Sequence, residues 1–316
     1  MQLVRRKFIT KNITWLRYLV YFFFVVALGM GFAQQVPTSY LPLEIIALGA
    51  LFFMFSLQVF LNKYNLSQRD AQLQKVIATN PEYTQVADKG DAWWFTDQLG
   101  AIDELHGARD PRMTNVISTP EWTYGDFTYN LYGQFKNSEY VKARVYYGVM
   151  TTKLPRDLPN VFFDSVKARR RQFRLHFAKE QRHSLEGDFD KFFVTYFPDG
   201  YTIDSMSFIS PEVMWAMREA SDYDIEIYKN RLFLYGPLFD PEQQLEDMSS
   251  KILEIKRRLA EQAVTYRDER LPFEQGRKRV SAEAVDLKLS KFWTYASIGT
   301  FVGYILLRIA LEIWSN

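Results

Sequence analysis
The chain has 316 residues, a formal net charge of +2 and no cysteine. A charge so near zero excludes a global attraction to nucleic acid. The lack of thiols excludes a disulfide framework, a thiolate nucleophile and a zinc ribbon. Apolar residues make up 47% of the chain. They concentrate in three segments around a polar middle of roughly 220 residues, enough for one large domain or two small ones.

Arg5, Arg6, Lys7 and Lys11 precede a stretch without charge from Tyr18 to Leu43. Glu44 interrupts it, and residues 45–62 are again uncharged. Pro37 and Pro42 break the middle. A spanning helix needs roughly 20 apolar residues, so the stretch reads as a membrane hairpin with spans at about 13–33 and 43–61. Lysines and arginines flank it on both sides, and the loop 34–42 has none, which puts both flanks inside. The competing reading is a signal peptide cleaved after Gly31-Phe32-Ala33. It leaves the side of the following domain unchanged.

Residues 66–78 are predicted to be helical, with Pro81 ending the helix. Trp93, Trp94 and Phe95 form an aromatic knot, and Arg109-Asp110-Pro111-Arg112 reads as a turn. Strand periodicity then sets in. In Gly125–Phe135 the odd positions are Phe127, Tyr129, Leu131, Gly133 and Phe135, alternating with polar neighbours. Val141–Val149 repeats the pattern after a short polar link, which predicts an antiparallel hairpin. Asn160–Phe163 and Phe173–Phe177 read as short strands. Phe189–Phe197 is apolar on both faces, as a central strand is.

Ser210-Pro211-Glu212 is a helix start: an acceptor side chain, a proline at the first helical position, and an acid at the positive end of the dipole. Ile225–Tyr228 and Leu232–Tyr235 flank Lys229-Asn230-Arg231, and the asparagine predicts a tight hairpin there. Asp240-Pro241-Glu242-Gln243 is a second start, with Gln243 placed to pair with Asp240. The helix that follows carries Leu245, Met248, Ile252, Ile255 and Leu259 at 3-4-3-4 spacing. That stripe packs either on the chain's own sheet or as a coiled-coil seam between copies. Asp247–Lys251 and Glu254–Arg258 are i,i+4 pairs on its wet side.

Arg277, Lys278, Arg279, Lys288 and Lys291 precede a last apolar run, Phe292–Trp314, bracketed by Trp293 and Trp314. It reads as a third span, with Arg308 and Glu312 pairing near its outer end. Gly299 and Gly303 form a GxxxG pair that permits close helix approach, within the protein or between copies. The organisation expected is therefore a transmembrane hairpin (1–63), a cytoplasmic α+β domain on an antiparallel sheet with packed helices (64–240), an amphipathic helix with a juxtamembrane segment (241–290), and a C-terminal transmembrane helix (291–316). This is a multi-pass protein of the inner membrane with a cytoplasmic N-terminus and an external C-terminus.

His106, His176 and His183 have no zinc-site spacing. Glu186, Asp188 and Asp190 lack the ligand run of a calcium loop and read as the polar lead-in to a strand. There is no phosphate-binding glycine loop, GxSxG or kinase set. No catalytic residue, metal or cofactor is expected. Lys167, Arg169, Arg170, Arg171 and Arg174 form the one concentrated basic run. They read either as lipid-headgroup contacts, each contributing about 1 kcal/mol beside an anionic surface, or as a solvated loop.

The run Ser184-Leu185-Glu186-Gly187-Asp188-Phe189-Asp190-Lys191-Phe192-Phe193-Val194-Thr195-Tyr196-Phe197, then Ile209-Ser210-Pro211-Glu212-Val213-Met214 and the segment Ile225–Tyr235, resembles a family of uncharacterised bacterial membrane proteins catalogued as domain of unknown function 3137. Leu185-Glu186-Gly187 and Ile209-Ser210-Pro211 stand where that family has its LES and L-T-P elements. The resemblance implies two N-terminal spans followed by a soluble domain. It implies no activity and supplies no catalytic residue.

The functional expectation is a non-enzymatic, membrane-anchored scaffold or partner-binding protein. The second reading is a lipid-interacting protein, or a subunit of an envelope-lipid system, that uses the basic run. A membrane-bound enzyme comes third. The expected partners are the lipid bilayer and a protein partner or second copy, with no nucleic acid.

Overall fold
The computed structural model describes residues 64, 67–86, 108–135, 138–168 and 177–288. The chain divides into two compact units, Met1–Ala71 and Gln72–Asn316. Of the first, residues 64 and 67–71 are described, all helical. The architecture below is that of the second.

Seven antiparallel strands form one sheet among the described residues: β1 (Thr84–Gln85), β2 (Ala108–Ser118), β3 (Trp122–Phe135), β4 (Ser138–Ser165), β5 (Arg182–His183), β6 (Phe193–Tyr196) and β7 (Asp224–Gly236). The order is β1-β2-β3-β4-β6-β5, with β7 also on β4. The 28 residues of β4 organise the sheet. Its first part pairs with β3, its middle with β7, and its end, Phe162–Ser165, with β6 as well.

Two apolar cores cover the two faces. One holds Tyr124, Met150, Leu154, Phe163, Ile225 and Leu234 with the helices. The other holds Phe127, Tyr147, Val149, Phe162, Phe233 and Tyr235. Side chains alternate faces along a strand, and one extra residue swaps them. β7 makes that swap. Ile225 and Ile227 face the helix-side core, as do Leu232 and Leu234, although the parity differs. The extra residue is Lys229, at φ 52°. β4 answers with register shifts on either side of Leu158. β2 swaps faces between Met113 and Ile117, where Asn115 sits at φ 54°. The bulges also curl the sheet. Tyr235 donates to Glu226 at 2.6 Å although the two are nine residues apart on one strand. A straight strand would separate them by roughly 30 Å.

The helices lie over the first core: α1 (Thr202–Phe208), α2 (Pro211–Glu219), α3 (Pro241–Ala263) and the single turn α4 (Phe273–Gly276). Ser210 caps α2 by accepting from Val213 N. Asp240 caps α3 by accepting from Gln243 N. Leu245, Met248, Ile252, Ile255 and Leu259 are all buried in the helix-side core, so the 3-4-3-4 stripe is consumed within the chain. Lys251–Asp247 and Arg258–Glu254 pair at 2.9 Å on its outer face.

Several expectations are corrected. The three-span α architecture, the multi-pass inner-membrane placement that followed from it, and the transmembrane and coiled-coil assignments are not what the described residues show. They build an antiparallel sheet with few helices, and none of those helices is long and apolar enough to cross a membrane. The longest, α3, has 23 residues, but only one of its faces is apolar and the other carries ion pairs. The stretches read as spans, 13–33, 43–61 and 291–316, lie outside the described residues, and Gly299 and Gly303 with them. The hairpin expected at Lys229-Asn230-Arg231 is one continuous strand, because the left-handed residue makes a bulge there. The turn expected at 109–112 lies inside β2 at a register shift, a place where a strand accommodates proline. Phe189–Phe197 is a 3-10 turn followed by β6, next to the sheet edge.

Candidate functional site
Among the described residues, most of the exposed large apolar side chains lie on or next to the helices. Ile203 is 84% exposed, Trp215 50%, Val264 54% and Phe273 55%, and Met206 joins them. They sit on α1, on α2, just past α3 and on α4. Their exposure follows from the inward faces being filled: Phe208 of α1, Val213 and Met217 of α2, and Leu259 of α3 already occupy the core. An open cleft of about 360 Å³ runs beside Trp215 to Arg258. Arg267 and Arg277 flank Phe273 with their guanidinia 4.9 and 4.8 Å from its ring centre. Arg277, Lys278 and Arg279 are all exposed, and the charge of Arg279 acts on the carboxylate of Asp157.

A buried carboxylate fixes this surface in place. Asp268 is wholly buried. It accepts from Tyr201 Oη at 3.0 Å, from Ser281 N at 2.9 Å and from Arg270 N at 3.0 Å. Arg270 lies over the Tyr201 ring at 3.8 Å and donates to both oxygens of Asp204 on α1 at 3.2 Å. Gly276 closes the turn. A Cβ there would stand 2.1 Å from the Asp268 carbonyl oxygen. Burial pushes the Tyr201 hydroxyl above its usual range, so it stays protonated as a donor.

A second cleft, of about 230 Å³, opens at the β5 edge. Lys179, Arg182, His183, Ser184 and Asp190 line it over Phe193. His183 stacks on Phe197 at 4.9 Å, and its Nε2 lies 3.3 Å from Thr202 Oγ1. Burial pushes the imidazole below its ordinary value, and Asp199 pulls it the other way. Asp190 accepts from Ser184 Oγ and, at 3.3 Å, from Leu185 N. Lys179 and Arg182 are exposed, with no carboxylate partner among the described residues.

A third cluster is internal. On the other face of the sheet, Tyr129 stacks on Tyr147 at 6.2 Å, and the fully buried Glu226 accepts from Tyr235. Burial raises the Tyr147 hydroxyl, and the neighbouring Tyr129 adds to it. The two clefts above do not reach these residues.

The basic run is only partly placed. Lys167 is exposed and paired with Asp222, and Ala168 beside it is buried. Arg169, Arg170, Arg171 and Arg174 lie outside the described residues, as do His106 and His176. The acidic trio splits. Asp188 lies within 4.0 Å of Lys191 and 3.9 Å of Arg218, while Asp190 serves the second cleft. No group of three or more metal-ligating side chains gathers among the described residues. The residues that sequence reasoning passed over are the exposed apolar ones. Ile203 and Phe273 belong to elements of 7 and 4 residues, too short to show a periodicity that separates an inner from an outer face.

No family model matches the chain, and no curated protein matches it. Of the residues that carry the resemblance to domain of unknown function 3137, Ser184, Asp190, Phe193 and Val194 line part of the second cleft, and others build β6, the α2 cap and β7. Among solved structures, the crystal structure of the mycobacterial trehalose monomycolate transport factor A, TtfA, is similar. It has a TM-score of 0.38 and 9% identity, and the match covers 60% of this chain and 92% of that one.

Proposed function
We propose that this domain is a lipid-surface binding module whose helical side docks on an anionic bilayer face. The observation that carries the reading is the exposure of Ile203, Met206, Trp215, Val264 and Phe273 on and next to the helices, with Arg277 over the Phe273 ring and the exposed Lys278 and Arg279 following it in the chain. Apolar and aromatic side chains with basic neighbours suit the boundary between headgroups and chains. Each cation adds about 1 kcal/mol near an anionic surface, an attraction that weakens with salt. This moves the lipid contact from the basic run at 167–174 to the helical side. The likeness to the trehalose monomycolate transport factor is compatible with a lipid-related function, and at its TM-score it lends this reading no support.

The chain has no cysteine, so a single introduced one carries a label without competition. Full-length Ile203→Cys and Phe273→Cys, bearing an environment-sensitive fluorophore, should blue-shift on vesicles of phosphatidylcholine and phosphatidylglycerol and be quenched by brominated acyl chains. High salt should reverse the shift. Lys153→Cys is the reference, exposed where the strand alternates with Leu154 of the helix-side core. Labels at 203 and 273 that stay in water on anionic vesicles would overturn the proposal. Burial of those labels in concentrated protein without lipid would assign the surface to a second copy instead.

A further inference from the structure
We infer that the cleft at the β5 edge binds a phosphomonoester, and that on a lipid surface this is the headgroup of a lipid whose chains meet α1. The headgroup half of the inference rests on the lipid-surface reading. The cleft holds about 230 Å³, several times the volume of one water molecule. Two of the side chains lining it, Lys179 and Arg182, are cations.

Several other described cations are held by a carboxylate. Lys167 meets Asp222, Lys251 meets Asp247, Arg257 and Arg258 meet Glu254, Arg270 meets Asp204, and Lys288 meets Asp199. Lys179 and Arg182 have no such partner among the described residues. The one carboxylate in the cleft, Asp190, already accepts from Ser184 and from Leu185 N. A planar guanidinium and an ammonium lining one cleft suit a phosphate, the first as a two-point donor and the second as a point charge.

His183 forms the wall between this cleft and α1. Its ring is fixed on one side by Phe197 and reaches Thr202 on the other. The next residue is Ile203, the most exposed large apolar side chain among the described residues. The cationic cleft and the start of α1, with Ile203, are therefore neighbours through one imidazole. That juxtaposition matches a charged headgroup joined to an acyl chain. A free phosphate would use the cleft and leave Ile203 in water.

The test uses the full chain and amine acetylation read by mass spectrometry, with Lys153 and Lys191 as internal references. The probes are inorganic phosphate, phosphatidylcholine vesicles with phosphatidic acid, and vesicles of matched charge with phosphatidylglycerol, which has no phosphomonoester. At roughly ten times the dissociation constant, acetylation of Lys179 should slow about ten-fold. Phosphatidic acid should protect it and phosphatidylglycerol should not. Arg182→Gln should abolish the protection, with Arg182→Lys retaining part of it. Both are surface changes, and an unchanged melting temperature checks that the fold is intact.

Protection by phosphatidic acid beyond that given by inorganic phosphate supports the headgroup. Equal protection by the two supports the phosphomonoester site and assigns it to free phosphate. Equal protection by phosphatidylglycerol, full protection in Arg182→Gln, or none with any probe overturns the site. The labels at 203 and 273 report separately. Labels that enter lipid while Lys179 stays reactive overturn this inference alone. Protection of Lys179 by inorganic phosphate with both labels in water overturns the lipid-surface reading alone.

Discussion

Ser205 and Thr195 each bury a hydroxyl oxygen that has no hydrogen-bond partner. An unsatisfied buried polar group costs about 1–3 kcal/mol. Ser205→Ala and Thr195→Val should therefore raise the melting temperature, by about 2–4 °C for each 1 kcal/mol recovered. Asp268 is the opposite case. Asp268→Ala takes the acceptor from the Ser281 and Arg270 backbone donors and leaves the Tyr201 hydroxyl with Ser281 Oγ alone, and should lower stability by about 2–3 kcal/mol in urea unfolding. His183 gives the domain a dependence on pH. Its folded pKa lies below its ordinary value near 6.5, so the unfolded chain binds the proton more tightly. Its contribution is complete above the unfolded value and is lost as pH falls through the folded one. Melting temperature should drop on acidification below about 6.5, and His183→Gln should flatten that part of the profile. Little of this was legible in the sequence. Nothing about Asp268 distinguishes it from the other acids of its segment, and the stacking of His183 on Phe197 depends on a strand turning back beside β5.

At the scale of elements the sequence spoke more clearly. Ser210-Pro211 and Asp240-Pro241 start α2 and α3, because capping is local chemistry that needs no tertiary partner. The 3-4-3-4 stripe of α3 was visible too, but periodicity cannot say what covers a stripe. The structure covers it with the chain's own sheet, which leads to a plain expectation. Ile252→Ala should cost about 2–5 kcal/mol and leave the oligomeric state by light scattering unchanged. A change of oligomeric state at constant melting temperature would return the stripe to an intermolecular seam. The strand alternation of β3 and β4 was legible for the same reason as the caps. The bulges were not. Lys229 and Asn115 adopt left-handed conformations inside strands, where lysine in particular carries no local signal for φ > 0. The sequence therefore read a break in parity as a turn.

For the molecule as a whole, the longest apolar segments of the sequence lie at its two ends, outside the described residues. The described fold depends on β4. Thr151 pairs with Thr123 on one side and Phe233 on the other, while Thr84 sits in the two-residue strand at the sheet edge. A proline removes a ladder donor and is tolerated only at edges and bulges. Thr151→Pro should abolish the cooperative thermal transition, whereas Thr84→Pro should shift it by only a few degrees. Comparable melting of the two variants would mean that β4 does not hold the sheet together.

The same strand imposes an order on biosynthesis. β2, β3 and β4 are consecutive and can join as soon as Ser165 has left the ribosome, but the second edge of β4 waits for β7, which ends at Gly236. At about 5–20 residues per second the interval is roughly 4 to 14 s. Throughout it the nascent chain presents an unpaired edge with Val149, Val161 and Phe163 along it. A holdase or a pause in translation would act in that window, and a slowed codon run between 165 and 236 would prolong exposure of the segment most prone to aggregate.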